Sequence, residues 1–150
     1  VIHETMTAEE LQGTLAKIGA REINKVISDL NEGRIMPMPQ DEKDVTYAEK
    51  LRKEEGQVDW KSDAHHIGRM VRALNPWPGV YFDIGEDRIK ILKAELLEET
   101  GPAGKILAED FTVGCGNGSI RLLQVQRAGK SAVSGHELFR ALGLKIGDAL

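Results

Sequence analysis

The stretch that decides the fold is Arg72-Ala73-Leu74-Asn75-Pro76-Trp77-Pro78-Gly79, which joins a helical pattern to a strand-rich half of the chain. Each proline fixes its own φ and disfavours the helical region for the residue before it. We therefore expect a helix to end at Asn75 and the segment from Pro76 to Pro78 to run extended. Trp77, held between two stiff residues, is expected to bury its ring in apolar surface, and Gly79 frees the backbone to turn. The five residues from Asn75 to Gly79 are thus predicted to form a rigid structural corner.

The helix that leads into the corner is predicted to begin after Ser62, a residue type that caps helices. A short strand at Val58-Asp59-Trp60 is expected just before it. The apolar stripe of this helix consists of Ala64, Ile67, Val71 and Leu74. Arg69 and Arg72 point away from that stripe, because they fall on the opposite side at helical spacing.

The chain begins with a longer predicted helix. Thr7-Ala8-Glu9-Glu10 is a capping box, in which a Thr hydroxyl and a Glu three residues later each bond a free backbone N–H. Apolar side chains then recur at helical spacing at Leu11, Leu15, Ile18, Ile23, Val26, Ile27 and Leu30. Gly33 is a natural stop for this helix. Such a long apolar stripe needs a partner surface.

Residues 34–56 are predicted to be a connecting arm. Met36-Pro37-Met38-Pro39 is extended by composition, and the segment is too poor in apolar residues for a domain. A strap across another surface fits it best. A small basic cluster, Lys50, Arg52 and Lys53, lies in the arm. This cluster could contact a ligand, or it could be an ordinary solvent-exposed surface whose positive charge is neutralised by Glu49, Glu54 and Glu55.

Beyond the corner the apolar period becomes two, which indicates strands. Strands are predicted at 80–84, 88–94, 105–108, 111–115 and 119–126, with a tight turn at Gly116-Asn117-Gly118. A second capping box, Ser134 to Glu137, opens a short helix through Leu142 that Gly143 closes. The predicted fold class is therefore mainly β with flanking helices: a small antiparallel barrel, open or closed, of the oligonucleotide-binding kind, preceded by an N-terminal helix and an extended linker.

Composition excludes several classes of protein. The net charge is −4, and residues 1–56 carry 12 acids and 8 bases. From Phe111 onward there are 5 bases and 2 acids. No part of the chain is therefore basic enough to indicate nucleic-acid binding from composition alone. The single cysteine, Cys115, excludes an internal disulfide framework and fits a reducing compartment. No apolar run has membrane-spanning length, and a cytoplasmic location is the expectation. The first residue is Val1 rather than Met, which favours a piece of a longer protein.

No pattern in the sequence indicates an active site or a metal site. Gly114-Cys115-Gly116-Asn117-Gly118 lies between two strands and predicts a hairpin rather than a phosphate loop. Cys115 is expected to be an inert, half-buried thiol. His65 and His66 project about 100° apart on a helix, which is poor geometry for one metal ion. The chain is therefore predicted to be a binding or scaffolding module without an active site of its own.

The ligand that the residues favour is the backbone of a folded RNA. Cations are distributed along the chain rather than clustered, and they are Arg69, Arg72, Arg88, Lys90, Arg127 and Lys130. Phosphates require cations in no particular order. No strand face is rich in Phe or Tyr, which argues against a platform for single strands and favours contact with a folded RNA.

Four segments, in this order and at about this spacing, resemble methionyl-tRNA formyltransferases: Thr46-Tyr47-Ala48-Glu49-Lys50-Leu51, Asp59-Trp60, the corner with the helix end before it, and Ala128-Gly129-Lys130. The resemblance covers nearly the whole chain and implies the last part of such an enzyme. It implies a terminal helix of the catalytic domain at 1–33, an interdomain linker at 34–56 and a C-terminal barrel at 57–150. The family transfers a formyl group from 10-formyltetrahydrofolate to methionine on initiator tRNA in translation initiation, and its barrel helps to hold the tRNA.

The resemblance also implies which residues have a role. The family's catalytic Asn, His and Asp and its folate-site loop lie upstream of this chain, so no catalytic residue and no metal is expected and the chain alone is predicted to be inactive. Lys50, Arg72 and Lys130 match the family pattern and are predicted tRNA contacts. Clustering alone adds four further candidates, Arg52, Lys53, Arg69 and Lys90.

Partners and alternatives follow from the same resemblance. The stripe of the N-terminal helix is expected to pack on the missing catalytic domain. In isolation the helix is expected to fold back on the barrel, to fray, or to pair with a second copy through Leu11, Leu15, Ile18 and Ile27. Two other identities stay open: a non-enzymatic RNA-binding module with the same barrel, and the C-terminal domain of a nucleotide-sugar formyltransferase. The Tyr47-Ala48-Glu49-Lys50-Leu51 arm argues against the latter.

Overall fold

The computed structural model describes all 150 residues, in two compact units, Val1–Lys50 and Leu51–Leu150. The helices are α1 (Ala8–Asn31), α2 (Ala64–Leu74) and α3 (Gly135–Ala141). The strands are β1 (Val80–Ile84), β2 (Asp87–Leu97), β3 (Ile106–Ala108), β4 (Thr112–Gly114), β5 (Ser119–Arg127) and β6 (Val133–Ser134). Two 3-10 turns lie at Glu42–Asp44 and Lys53–Gly56. None of the helices has the length and apolar character that crossing a membrane requires.

In the first unit, α1 begins and ends where its sequence predicts. The Thr7 side chain accepts a hydrogen bond from Glu10 N at 3.2 Å, and Glu10 Oε2 accepts one from Thr7 N at 2.9 Å, which completes the capping box. The helix ends at Asn31, two residues before Gly33, whose φ of +70° only glycine adopts freely. No residue of α1 is buried, and the side chains of its apolar stripe are largely exposed.

The second unit is built on one six-stranded antiparallel sheet. Its order is β1-β2-β5-β4-β3, and β6 pairs with β5 beside β4. The sheet stays open, so the prediction of a mainly β fold with flanking helices and a small open barrel is confirmed. The strand β6 was not predicted, because two residues are too few to show a period.

Both edges of the sheet are covered by other parts of the chain. At the β1 edge, Val58 N donates to Tyr81 O at 2.8 Å. At the β3 edge, Ile106 N donates to Asp148 O at 3.0 Å, and Gly147 N donates to Ile106 O at 2.8 Å. Each edge strand therefore has part of its outer row of backbone N–H and C=O groups hydrogen-bonded to another segment of the chain.

The core lies between one face of this sheet and the helices α2 and α3. Its largest fully buried side chain is Phe111, whose ring centroid lies 6.1 Å from that of Phe82 and 6.2 Å from that of Phe139. Trp60 closes the row with an edge contact to Phe82 at 5.4 Å. Around them lie aliphatic residues from α2, α3 and the strands: Ala64, Ile67, Val71, Val80, Ile89, Ile91, Ile106, Val113, Ile120, Leu122, Val125 and Leu138.

The corner differs from its prediction in two respects. The helix α2 ends at Leu74 as expected, but residues 75–78 form a compact turn rather than an extended segment, and the peptide bonds before Pro76 and Pro78 are cis. A turn this tight points the indole of Trp77 outward, where it is 58% exposed, so the expected burial of this ring is wrong. Trp60 provides the buried indole instead, at 8% exposed.

Asn75 holds the corner onto the sheet. Its Nδ2 donates to Val71 O at 2.8 Å and to Ile91 O at 2.9 Å, which joins the end of α2 to the backbone of β2. Replacing Asn75 with Asp is expected to lower the free energy of unfolding by about 1–3 kcal/mol, because a carboxylate cannot donate to two half-buried carbonyls. Urea denaturation measures this change. Asn24→Asp, on the exposed surface of α1, is the control with the same chemical change, and equal stability of the two variants would contradict the role of Asn75.

The residues before α2 also depart from the sequence prediction. Val58 to Trp60 do not form a strand; a single bridge between Gln57 and Tyr81 is followed by a turn in which Ser62 N donates to Asp59 O at 3.0 Å. The apolar residues Val58 and Trp60 are buried because the turn inserts them into the core, which an alternating pattern cannot distinguish from a strand.

The cap of α2 is Asp63 rather than Ser62. Asp63 Oδ1 accepts from His65 N at 2.7 Å, and its other oxygen accepts from the side chain of Asn117 at 2.9 Å. The hydrogen bond from Asn117 and then that from His65 N hold the pKa of this carboxyl below its usual value. Asn117 lies in the turn before β5, so the choice of cap depends on a residue distant in sequence.

Candidate nucleic-acid interface

The exposed face of the sheet, turned away from α2 and the core, carries a row of lysines. Along β2, Ile89 and Ile91 are buried in the core, whereas Arg88, Lys90 and Lys93 are exposed. Side chains alternate across a strand, so the exposed cations lie on the outer face. Lys93 follows an irregularity in the register and pairs with Gln124 of β5.

Lys130 is brought to the same face by β5. Gln126 is the cross-strand partner of Lys90, and its Nε2 donates to Lys130 O at 2.8 Å. Because paired residues of adjacent strands share a face, the turn that carries Lys130 lies beside Lys90. We call Lys90, Lys93 and Lys130 the lysine face.

The corner borders the lysine face at Gly79. A Cβ atom built on Gly79 would lie 3.8 Å from Cε of Lys90 and 3.7 Å from the carbonyl oxygen of Pro76. A Cβ built on Gly56 would lie 1.9 Å from the carbonyl oxygen of Gly79, so Gly56 is in direct backbone contact with the corner. The 3-10 turn that contains Lys53 ends at Gly56 and therefore adjoins the same corner.

The arginines of the sheet are engaged by acids. Arg88 Nε lies 3.0 Å from Asp83 Oδ1, and its guanidinium carbon lies 4.0 Å from the centre of the Tyr81 ring. The hydrogen bond to Asp83 raises the pKa of Arg88. Two further arginines form three ion pairs of the same character: Arg121 with Glu95, Arg121 with Asp110, and Arg127 with Asp87. The cations that remain for a ligand on this face are lysines.

The predicted contacts of α2, Arg69 and Arg72, are not gathered in this way. Arg72 is half-buried, and its Nη1 donates to Gly68 O at 3.2 Å, so its side chain turns back along α2. Arg69 is exposed on the same helix. Arg52 donates its backbone N–H to Glu55 Oε1 at 2.7 Å, and Lys50 belongs to the first unit.

The sequence reasoning missed Lys93. The alternation of bases and apolar residues from Arg88 to Ala94 contained it, but its place on the same face as Lys90 depends on the register irregularity that follows Ile91. A strict period of two assigns residues 90 and 93 to opposite faces. The register shift between Ile91 and Lys93 places Lys93 on the same exposed face of the sheet as Lys90.

The thiol of Cys115 is inaccessible to reagents in solution. Its side chain is buried at 3% exposed rather than half-buried, and burial, followed by the charge of Asp63, raises the pKa of its thiol from 9.0 to about 11. The expectation of an unreactive thiol is thus strengthened, since the thiolate is the reactive form. No three His, Cys, Asp or Glu side chains are arranged to hold a metal ion.

Alkylation of the single cysteine tests this burial. Folded protein is expected to react with iodoacetamide at least about a hundredfold more slowly than urea-unfolded protein, because both access and ionisation are suppressed. The thiol of the unfolded chain ionises first as the pH rises, so the free energy of unfolding is expected to fall between about pH 9 and about pH 11. Free cysteine provides the reference rate, and equal rates for folded and unfolded protein would contradict the burial.

Comparison with known proteins places these features in a family. Residues 50–143 match the family described as "Formyl transferase, C-terminal domain". A methionyl-tRNA formyltransferase from Paramagnetospirillum magneticum is 41% identical over 145 residues, which are 96% of this chain and 48% of that protein. The corresponding enzyme from Rickettsia massiliae is 34% identical over 145 residues, 95% of this chain and 47% of its own. The chain spans about half the length of the curated relatives it matches.

Solved structures support the fold. HypX from Aquifex aeolicus, in one variant form, superposes with a TM-score of 0.70 at 20% identity over 97% of this chain and 28% of its own. A HypX structure in complex with tetrahydrofolic acid gives a TM-score of 0.60 at 22% identity over 77% of this chain and 22% of its own. At these identities the likeness concerns architecture alone.

Proposed function

This chain belongs to the family of formyl transferase C-terminal domains, and from that premise we propose that it is the tRNA-binding, C-terminal part of a methionyl-tRNA formyltransferase. The observation that carries the proposal is identity of up to 41% to such enzymes along 96% of the chain. The complete enzyme would transfer a formyl group from 10-formyltetrahydrofolate to the amino group of methionine on initiator tRNA, in the cytoplasm, at the start of translation.

The lysine face supplies a physical reason for RNA as the ligand. Lys90, Lys93 and Lys130 are exposed and lie on one side of the sheet, whereas the neighbouring arginines are paired with acids. Lysine ammonium groups attract phosphates without requiring a base sequence. A sheet face with separated cations suits the phosphate backbone of a folded RNA.

Within this proposal the chain binds and the remainder of the enzyme performs the chemistry. Formyl transfer needs a polarised formyl carbonyl and a base for the attacking amine, held in one geometry. We assign no residue of this chain to either task and none to the folate. The isolated chain is accordingly proposed to be inactive in formyl transfer.

The domain organisation is proposed on the same basis. Residues 1–33 would be the terminal helix of the catalytic domain, 34–56 the linker and 57–150 the RNA-binding domain. The exposed stripe of α1, with Leu15 at 56% and Ile27 at 50%, would pack against the rest of that catalytic domain. A second copy is the competing occupant of the stripe in the isolated chain. Sedimentation of the isolated chain at micromolar concentration tests the homodimer, which a monomeric mass would exclude.

A binding series with this chain tests the proposed function. Initiator tRNA and an unstructured RNA of equal length are titrated at several salt concentrations, and formyl transfer is assayed with and without the upstream half of the gene. The proposal expects tRNA binding that weakens steeply with salt, preference for the folded RNA, and formylation only by the complete enzyme. Absence of binding at low salt would overturn it, and so would formylation by this chain alone.

A further inference from the structure

Trp77 is an exposed aromatic ring on a rigid mount. The chain has two tryptophans, and Trp60 is buried at 8% exposed whereas Trp77 is 58% exposed. Prolines on both sides restrict the backbone of Trp77, and the hydrogen bonds of Asn75 hold the turn onto α2 and β2. A large ring in this position can meet a ligand with little loss of conformational freedom, which favours binding.

The charge around the corner identifies the kind of ligand. The Lys90 side chain approaches Gly79, with its Cε 3.8 Å from the Cβ position of that residue. Asp83, the acid of the neighbouring strand β1, is neutralised by its ion pair with Arg88. The corner that carries the indole therefore borders Lys90 of the lysine face. A partner that is both polyanionic and rich in flat apolar faces is complementary to this combination, and nucleic acid has both properties.

We propose that Trp77 is a stacking platform for an unpaired nucleobase of the RNA whose phosphates lie on the lysine face. The proposal rests on the proposed function and adds a base-contacting residue to it. In folded RNA the bases of loops and ends are unstacked, and proteins stack them on aromatic side chains. The lysines would fix the backbone, and the indole would hold one base beside the corner. A protein partner at Trp77 is the competing class.

Fluorescence of Trp77 itself provides the test. In the 150-residue chain carrying Trp60→Phe, Trp77 is the single tryptophan, and it is titrated with an initiator tRNA transcript, with a short oligoadenylate, and with an abasic oligomer that has the same number of phosphates. RNA binding is followed in parallel by the anisotropy of labelled tRNA for Trp77→Ala and Trp77→Phe. Ile146→Ala is the matched control, because Ile146 is 60% exposed and adjoins the covered β3 edge at the other end of the sheet.

Stacking predicts that the tRNA and the oligoadenylate quench Trp77 and that the abasic oligomer does not. It also predicts about tenfold weaker tRNA binding for Trp77→Ala, a smaller loss for Trp77→Phe and none for Ile146→Ala. Binding of tRNA with unchanged Trp77 emission and unchanged affinity in Trp77→Ala would overturn the stacking role and leave the proposed function standing. No binding of tRNA to any variant would overturn the proposed function and the stacking role with it.

Discussion

Replacing Phe111 with alanine is expected to lower the free energy of unfolding by about 3–5 kcal/mol, the largest loss of stability that one substitution should cause in this fold. Phe111 has no exposed surface and contacts the rings of Phe82 and Phe139. It also lies within 3.2 Å of the Cβ position of Gly135, so it joins the sheet to α3. Its removal opens a cavity that the surrounding backbone cannot fill.

Urea denaturation followed by circular dichroism measures the loss. Phe111→Leu is the matched variant and should lose less than Phe111→Ala, because it retains most of the volume. Leu123→Ala provides the surface control, since Leu123 is 44% exposed on β5 and should cost no more than about 1 kcal/mol. A loss of under about 1 kcal/mol for Phe111→Ala would show that the core is not centred on this ring.

Reversing two charges of the lysine face, as Lys90→Glu with Lys130→Glu, is expected to weaken tRNA binding by about tenfold to a hundredfold at low salt. The turn that carries Lys130 lies beside Lys90 through Gln126, and both side chains are exposed, so the substitutions should leave folding intact. If each lysine contacts one phosphate, the slope of log affinity against log salt should fall by about 0.9 for each contact removed.

The control for this experiment changes the same net charge elsewhere. Lys105 pairs with Ala149, and Lys145 N donates to Asp148 Oδ2 at 2.8 Å, so both lysines lie near the covered β3 edge. Lys105→Glu with Lys145→Glu should therefore weaken binding much less than the change on the lysine face. Equal losses in the two double variants would indicate a response to net charge alone and would reject the lysine face as the contact surface.

The helix ends and the positions of the strands show what local sequence can predict. The capping boxes at Thr7 and Ser134 and the glycine after each helix specify α1 and α3, because these signals act within a few residues. The alternation of β1, β2 and β5 indicated strands for the same reason. The cap of α2 was assigned to Ser62, because Ser and Asp are both common caps and only the hydrogen bond from Asn117, 54 residues later, adds a reason for Asp63.

The candidate site was predicted less completely than the fold. Lys90 and Lys130 were named, but their proximity depends on cross-strand pairing with Gln126, which no local pattern contains. Lys93 was missed because the register shifts near it. Arg72 was named on family resemblance, and the structure shows its guanidinium bonded to Gly68 O. Trp77 was expected to be buried, because ring size predicts burial on average while the turn decides it in this case.

The covering of both sheet edges has a consequence for how the protein behaves at high concentration. The last four residues, Gly147 to Leu150, occupy the hydrogen-bonding groups of β3 and of the segment before it, with Leu150 N donating to Gly104 O at 2.8 Å. Deleting them would present a bare strand to other molecules, and such strands nucleate intermolecular β-pairing and precipitation. Residues 147–150 are thus expected to protect the protein against aggregation. An affinity tag on this chain is better attached next to Val1 than next to Leu150.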